Sequence, residues 1–119
     1  MLHRRYFPGG DWGEVREYLE ALRLGGRTKK AAIRLDLDVQ ALEESWPGTL
    51  NVSVRTLKGW EPLREIRRPF DKIAYRIFFC VRGDELWLLS AYEKESDDAP
   101  RHELEKAYRR MRRVLEAKV

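Results

Sequence analysis

Two apolar runs, IFFCV at 77–81 and LWLL at 86–89, lie either side of Gly83-Asp84, and they constrain this chain more than any other feature. Each run is strand-sized and too short to span a membrane. Glycine followed by aspartate between them makes a short hairpin connection. The segments AYRIFFCVR and LWLLSAYEK, with Val81 and Leu86 flanking the turn, are therefore expected as antiparallel neighbours at the centre of a sheet. Arg76 interrupts the first of these segments, so it must either point outward or be paired.

The rest of the chain divides at Asn51. Before it, residues 2–7 (LHRRYF) read as a short strand closed by the turn Pro8-Gly9-Gly10. Asp11 and Glu14 have capping-box spacing, and Val15, Leu19 and Leu22 then recur at helical intervals up to Gly25-Gly26. A second helix is expected from about Thr28, with Ala32, Leu35, Val39, Leu42 and Trp46 on one stripe and Pro47-Gly48 as its end. Together these form a helical hairpin. After Asn51 the period becomes that of strands, through NVSVRTL and REIRR to the central hairpin. A last helix is expected near Pro100, a favoured first-turn residue, with Asp97 and Asp98 ahead of it and Leu104, Tyr108, Met111 and Leu115 as its apolar stripe. The expected class is α+β in the order β-α-α-β-β-β-α, with the helices gathered at one side of an antiparallel sheet.

The chain has 119 residues, which favours one domain over residues 1–119. MLHRRYFPGG lacks the apolar stretch of a secretion signal, and Cys80 is the single cysteine. A disulfide framework and a cysteine-cage zinc site are thereby excluded, and the cytoplasm is the expected location. The formal charge of +4 conceals a strong unevenness. Residues 1–50 are neutral, 55–82 carry +5, 83–105 carry −6 and 106–119 carry +5. Of the 24 basic residues 17 are arginine, the side chain that forks onto phosphate bidentately. A basic centre suggests a polyanionic partner, although many such charges are ordinarily solvated.

Several chemistries find no residues here. PGGDWG lacks the lysine and helix context of a phosphate loop, and no G-x-S-x-G elbow occurs. His3 and His102 are far apart in sequence and outside any metal-ligand spacing, so no metal or other cofactor is expected. Cys80 reads as a small core residue, and Trp46, Trp60 and Trp87 as packing rather than base-stacking platforms. Catalysis would have to come from Arg, Lys, Glu and Tyr. That set suits in-line attack of a ribose 2′-hydroxyl on its own phosphate, where cationic side chains supply the electrostatic stabilisation and a carboxylate or lysine moves the proton. Arg67, Arg76 and Lys94 lie on three successive expected strands, so one sheet face can collect them. Isolated charges on the exposed face of an antiparallel sheet are equally normal.

Five pieces in order resemble the RelE/HigB superfamily of bacterial toxins, nearest its phage-derived HigB-like branch. They are the basic V-x-x-L lead-in at 54–57, the triplet Glu65-Ile66-Arg67, the Y-R-I-F-F strand at 75–79, the strand end LLSAYEKES at 88–96, and the helix start Pro100-Arg101-His102-Glu103 leading to Ala107. The resemblance covers residues 51–117, and reaches 1–50 through element order alone.

It implies a RelE-like fold, with two N-terminal helices packed on a twisted antiparallel sheet and a C-terminal helix near the active face. It also implies the toxin of a type II toxin–antitoxin system, an endoribonuclease that cuts mRNA on translating ribosomes. The implied partner is an antitoxin with a HigA-like helix-turn-helix domain. By this resemblance Arg76 stabilises the phosphate, Arg67 and Glu65 are the arginine and carboxylate of the triplet, and Lys94 is the first lysine of the strand end. Arg55, Lys58 and Tyr92 are then RNA-binding residues. The chain departs from the family pattern at Glu95, where a second lysine is common, and at Ser96, with Asp97-Asp98 following. Those acids leave open a non-catalytic binding protein on the same fold, either a gyrase-type inhibitor or a phage accessory factor.

Overall fold

In the computed structural model, which describes residues 1–94 and 99–117, the elements follow the periodicity of the chain. They are β1 (His3–Tyr6), α1 (Glu14–Leu24), α2 (Lys29–Ser45), β2 (Val54–Thr56), β3 (Arg64–Phe70), β4 (Ile73–Arg82), β5 (Glu85–Lys94) and α3 (Arg101–Glu116). The class is α+β, as expected. All four segments read as strands after Asn51 form strands, one more than the order β-α-α-β-β-β-α counts; the first, in NVSVRTL, is only Val54–Thr56 and pairs with β3.

The central hairpin forms where the two apolar runs place it. Val81 lies opposite Leu86 and Arg82 opposite Glu85, across a turn in which Gly83 takes φ +59. A second tight hairpin joins β3 to β4 through Asp71-Lys72, at φ 51 and 68. Two successive left-handed residues are what a type I′ turn requires. β3 runs past the expected REIRR to include Pro69. The Arg67 N–H bonds the Ser53 carbonyl at 2.9 Å, so the nitrogen of Pro69 faces that same edge, where β2 has already ended. A residue without an N–H costs no ladder bond there.

The five strands lie in the order β1-β5-β4-β3-β2. The sheet is mixed rather than antiparallel throughout, because β1 pairs parallel to β5. The helical hairpin carries the chain from that edge to the opposite one, where β2 enters. The helices also occupy both faces, not one side. α1 and α2 bury Val15, Leu22, Leu35, Val39 and Leu42 against Ile66, Ile77, Phe79, Leu86 and Leu88. On the other face α3 buries Ala107, Met111 and Val114 against Leu63, Phe78, Cys80 and Leu89. Each such fully buried aliphatic or aromatic side chain contributes about 1.5–3 kcal/mol. The stripe of α3 is centred on Met111 at i−4 and i+3, which turns Leu115 outward. Because β4 is covered on both sides, residues 74–80 are all buried, Arg76 included.

Three further expectations change. α1 takes Gly13 as its N-cap without any side-chain capping bond, so Asp11 and Glu14 do not form a capping box. The loop before it is folded back by bridges Tyr6–Gly10 and Pro8–Gly13, so tightly that a Cβ on Gly13 would lie 2.0 Å from the Phe7 carbonyl oxygen. Pro100 is the N-cap of α3 rather than its first residue, and Asp97 and Asp98 lie outside the described residues. The β4–β5 register slips between Phe78, opposite Ser90, and Phe79, opposite Leu88. Leu89 is the extra residue of a β-bulge, which reverses the side-chain alternation along the rest of β5. Ion pairs tie the α1/α2 layer down: Arg68 donates to Asp38 at 2.9 and 2.5 Å, and Arg4 to Asp36 and Glu43 at 2.6 and 2.8 Å. Among the described residues no helix is long and apolar enough to cross a membrane.

Candidate functional site

Directly opposed residues of an antiparallel pair point to the same face of the sheet. The register therefore sorts the candidate side chains. Arg55 lies opposite Glu65, Arg67 opposite Arg76, Arg76 opposite Tyr92, and Ala74 opposite Lys94. All these side chains share the face covered by α3. Tyr92 and Lys94 reach it because the bulge at Leu89 has already reversed the phase of β5.

At the centre, Arg76 Nη1 donates to Glu65 Oε1 at 2.8 Å, and the two residues are 2% and 1% exposed. The other carboxylate oxygen, Glu65 Oε2, has no hydrogen-bond partner among the described residues. Burial pushes the Glu65 carboxyl above the ordinary carboxylate range, outweighing the opposing pull of Arg76, Arg55 and Arg67. The Arg76 guanidinium also lies 5.7 Å from the Tyr92 ring centroid, and Tyr92 stacks on Phe78 at 5.7 Å and 17°.

A cleft of about 320 Å³ opens above this pair, lined by Arg55, Leu57, Lys58, Trp60, Glu65, Arg76, Ala99 and Leu104. Four of the sequence-derived candidates thus meet in one place: Arg55, Lys58, Glu65 and Arg76. Arg67 is half-buried beside Arg76 on the same face, and Tyr92 sits against Arg76, but neither lines the cleft. Lys94 is exposed at the end of β5, two residues beyond Tyr92. Glu95 and Ser96, the departures from the family pattern, lie outside the described residues.

Trp60 joins the cleft although its sequence context reads as packing. The signal was present in the string KGWEP, where Gly59 and Pro62 mark a turn shortly after Arg55 and Lys58. Trp46 and Trp87 behave as expected, the first packed edge-on against Phe79 at 5.7 Å and the second half-buried with its indole N–H donating to Glu85. Cys80 is buried, and burial pushes its thiol up to about 12. It is a core residue. His102 is exposed in the first turn of α3, 3.4 Å from Glu103.

A second and larger depression of about 550 Å³ lies between α1 and α2, on the far side of the sheet from these residues. Its lining mixes Leu19, Ile33 and Leu37 with Arg16, Arg23, Glu20 and Asp36, and several of these charges are already paired within the chain.

No curated protein and no solved structure matches the chain. Residues 27–112 match the family model described as phage derived protein Gp49-like (DUF891). That span takes in both the second helix and the whole cleft-bearing sheet from β2 to β5, together with most of α3. The chain belongs to the phage-derived Gp49-like family.

Proposed function

We propose that this protein is the toxin of a type II toxin–antitoxin system, an endoribonuclease of the RelE/HigB type that cuts mRNA on translating ribosomes. The observation that carries the reading is the buried Glu65–Arg76 pair at the floor of a cationic cleft. Glu65 keeps one oxygen on Arg76 and the other free of hydrogen bonds among the described residues, at a raised pKa. A carboxylate so placed is matched to proton abstraction nearer neutrality than a solvated one. In this reading Glu65 removes the ribose 2′-hydroxyl proton and the 2′-oxygen bonds to phosphorus. Arg76 stabilises the charge on the pentacoordinate phosphate. The bond from phosphorus to the 5′-oxygen breaks, and that oxygen takes a proton from Lys94. Arg55 and Lys58 hold flanking phosphates, with Arg67 and Tyr92 fixing the Arg76 guanidinium. The natural restraint on such an activity is a cognate antitoxin, here one with a HigA-like helix-turn-helix domain, and the place of action is the cytoplasm.

One observation favours a binding-only protein on the same fold, such as a gyrase-type inhibitor or phage accessory factor: Arg76 and Glu65 are paired with each other and almost wholly enclosed. Induced expression of wild type, Glu65→Gln and Arg76→Ala, with growth curves and mapping of mRNA 5′ ends, separates the two. The nuclease reading expects growth arrest with new 5′ ends inside translated messages for wild type alone. Arrest without new 5′ ends would leave the binding reading standing. Co-purification with the product of the neighbouring gene tests the antitoxin.

A further inference from the structure

We infer that Trp60 is the base-stacking platform of the cleft, seating one nucleobase of single-stranded RNA while Arg55 and Lys58 take its phosphates. The inference rests on the proposed function for the identity of the nucleic acid, and on the geometry for the rest.

The turn that carries the ring is fixed. The backbone N–H of Trp60 donates to the Leu57 carbonyl at 2.9 Å, and the Trp60 carbonyl accepts from the N–H of Leu63 at 3.0 Å, a residue with no exposed surface. Gly59 sits at φ +88, and its N–H is tied to the Glu61 carboxylate at 2.7 Å. From the other side Tyr108 of α3 meets the ring edge-on, at 5.6 Å and 70°. The ring nevertheless remains half-buried and lines the cleft rather than closing into the core.

The chemistry around it matches one kind of ligand. Arg55 and Lys58 are exposed on the same wall, and the Arg101 guanidinium lies 5.9 Å from the Trp60 ring centroid on a side chain that is 82% exposed. Aromatic faces interleaved with mobile cations are the means by which single strands are held, base on ring and phosphate on cation. About 320 Å³ is at the small end of ligand sites, room for one splayed nucleotide and not for a duplex. Stacking on Trp60 would place the adjoining ribose over Glu65 and Arg76, so this ring would set which side of a base the chain is cut.

The test uses the full chain and a short single-stranded oligonucleotide of 2′-O-methyl nucleotides, which cannot be cut by 2′-hydroxyl attack. Binding to wild type should quench tryptophan fluorescence, and Trp60→Phe should remove that quenching while still binding. Trp60→Leu should bind roughly 5- to 150-fold more weakly, with an unchanged circular dichroism spectrum. An oligonucleotide with an abasic position should lose the same factor on wild type and nothing further on Trp60→Leu. Equal affinity of wild type and folded Trp60→Leu overturns the inference, as does quenching that survives in Trp60→Phe. Trp60-dependent binding without ribosomal mRNA cleavage would sink the nuclease reading and leave the platform. Unaltered cut sites and rate in Trp60→Leu would do the reverse.

Discussion

Removing one member of the Glu65–Arg76 pair should destabilise the fold by an amount that depends on which member is removed, and the two cases differ for a physical reason. Breaking a buried pair typically costs about 3–5 kcal/mol, because a charge is left without compensation in a low-dielectric setting. Both residues are enclosed and bonded at 2.8 Å, so this range applies. Arg76→Met leaves a carboxylate, which can escape by binding a proton. From an ordinary glutamate value near 4.3, protonation at neutral pH costs at most about 3.7 kcal/mol, and that ceiling falls by about 1.4 kcal/mol for each pH unit. Glu65→Leu leaves a guanidinium that cannot deprotonate, so whatever it costs should not change with pH. The double variant Glu65→Leu/Arg76→Met replaces the pair with apolar side chains and should be more stable than either single variant, near wild type or above it. Urea unfolding followed by circular dichroism measures all four proteins near neutrality and again about 1.5 pH units lower. The deficit of Arg76→Met should shrink by about 2 kcal/mol between the two, and that of Glu65→Leu should not. None of the three variants should cut RNA, including the stable double. A double variant as unstable as the sum of the singles, or an Arg76→Met deficit independent of pH, would refute the reasoning.

Three other outcomes follow from particular contacts. Since burial raises the Glu65 pKa, cleavage should fail on acidification at a higher pH than a solvated carboxylate would impose. A wild-type pH–rate profile reads this limb. By linkage, the folded state then binds this proton more tightly than the unfolded chain, so Glu65 adds stability below its ordinary value that is lost as pH rises through the raised one; Glu65→Gln, which should not cut, should remove that dependence from a pH series of unfolding midpoints. Arg68→Ala strands the buried Asp38 on the opposite face of the sheet, and should cost about 3 kcal/mol in urea unfolding while leaving cleavage per folded molecule unchanged. Lys72→Gly relieves a left-handed φ of 68 in the β3–β4 turn and should raise stability by about 1 kcal/mol, read as a higher thermal midpoint.

The parts legible in the sequence are those that local chemistry decides. Gly83-Asp84 between two apolar runs specifies a hairpin because a short connection leaves one way to pair. The glycines and prolines around 25–28 and 46–48 end helices for equally local reasons. The unreadable parts depend on where distant segments meet. Nothing within LHRRYF distinguishes a parallel from an antiparallel partner, and nothing in the stripe of α3 says which face of the sheet it covers. The bulge at Leu89 is likewise a compromise between two layers of packing, and it is what turns Tyr92 and Lys94 toward Arg76.

The candidate site shows the same division, and one misplacement explains another. A sheet with all its helices on one side would leave Arg76 on an open face, where an arginine is ordinary. With α3 on the second face, β4 is buried on both sides, and a charge at position 76 is tolerable only if a carboxylate comes to it. Glu65 is the residue that the β3–β4 register brings near enough, one strand across and on the same face. The pair therefore belongs to the three-layer arrangement, not to the triplet motif alone. Access to the pair must then be made where the layers end. That place lies beside β2, three residues long, where the turn carrying Lys58 and Trp60 faces Leu104 of α3 across the cleft. A tryptophan that reads as packing in the string becomes part of the site for that reason: it lines the cleft at the β2 margin of the sheet.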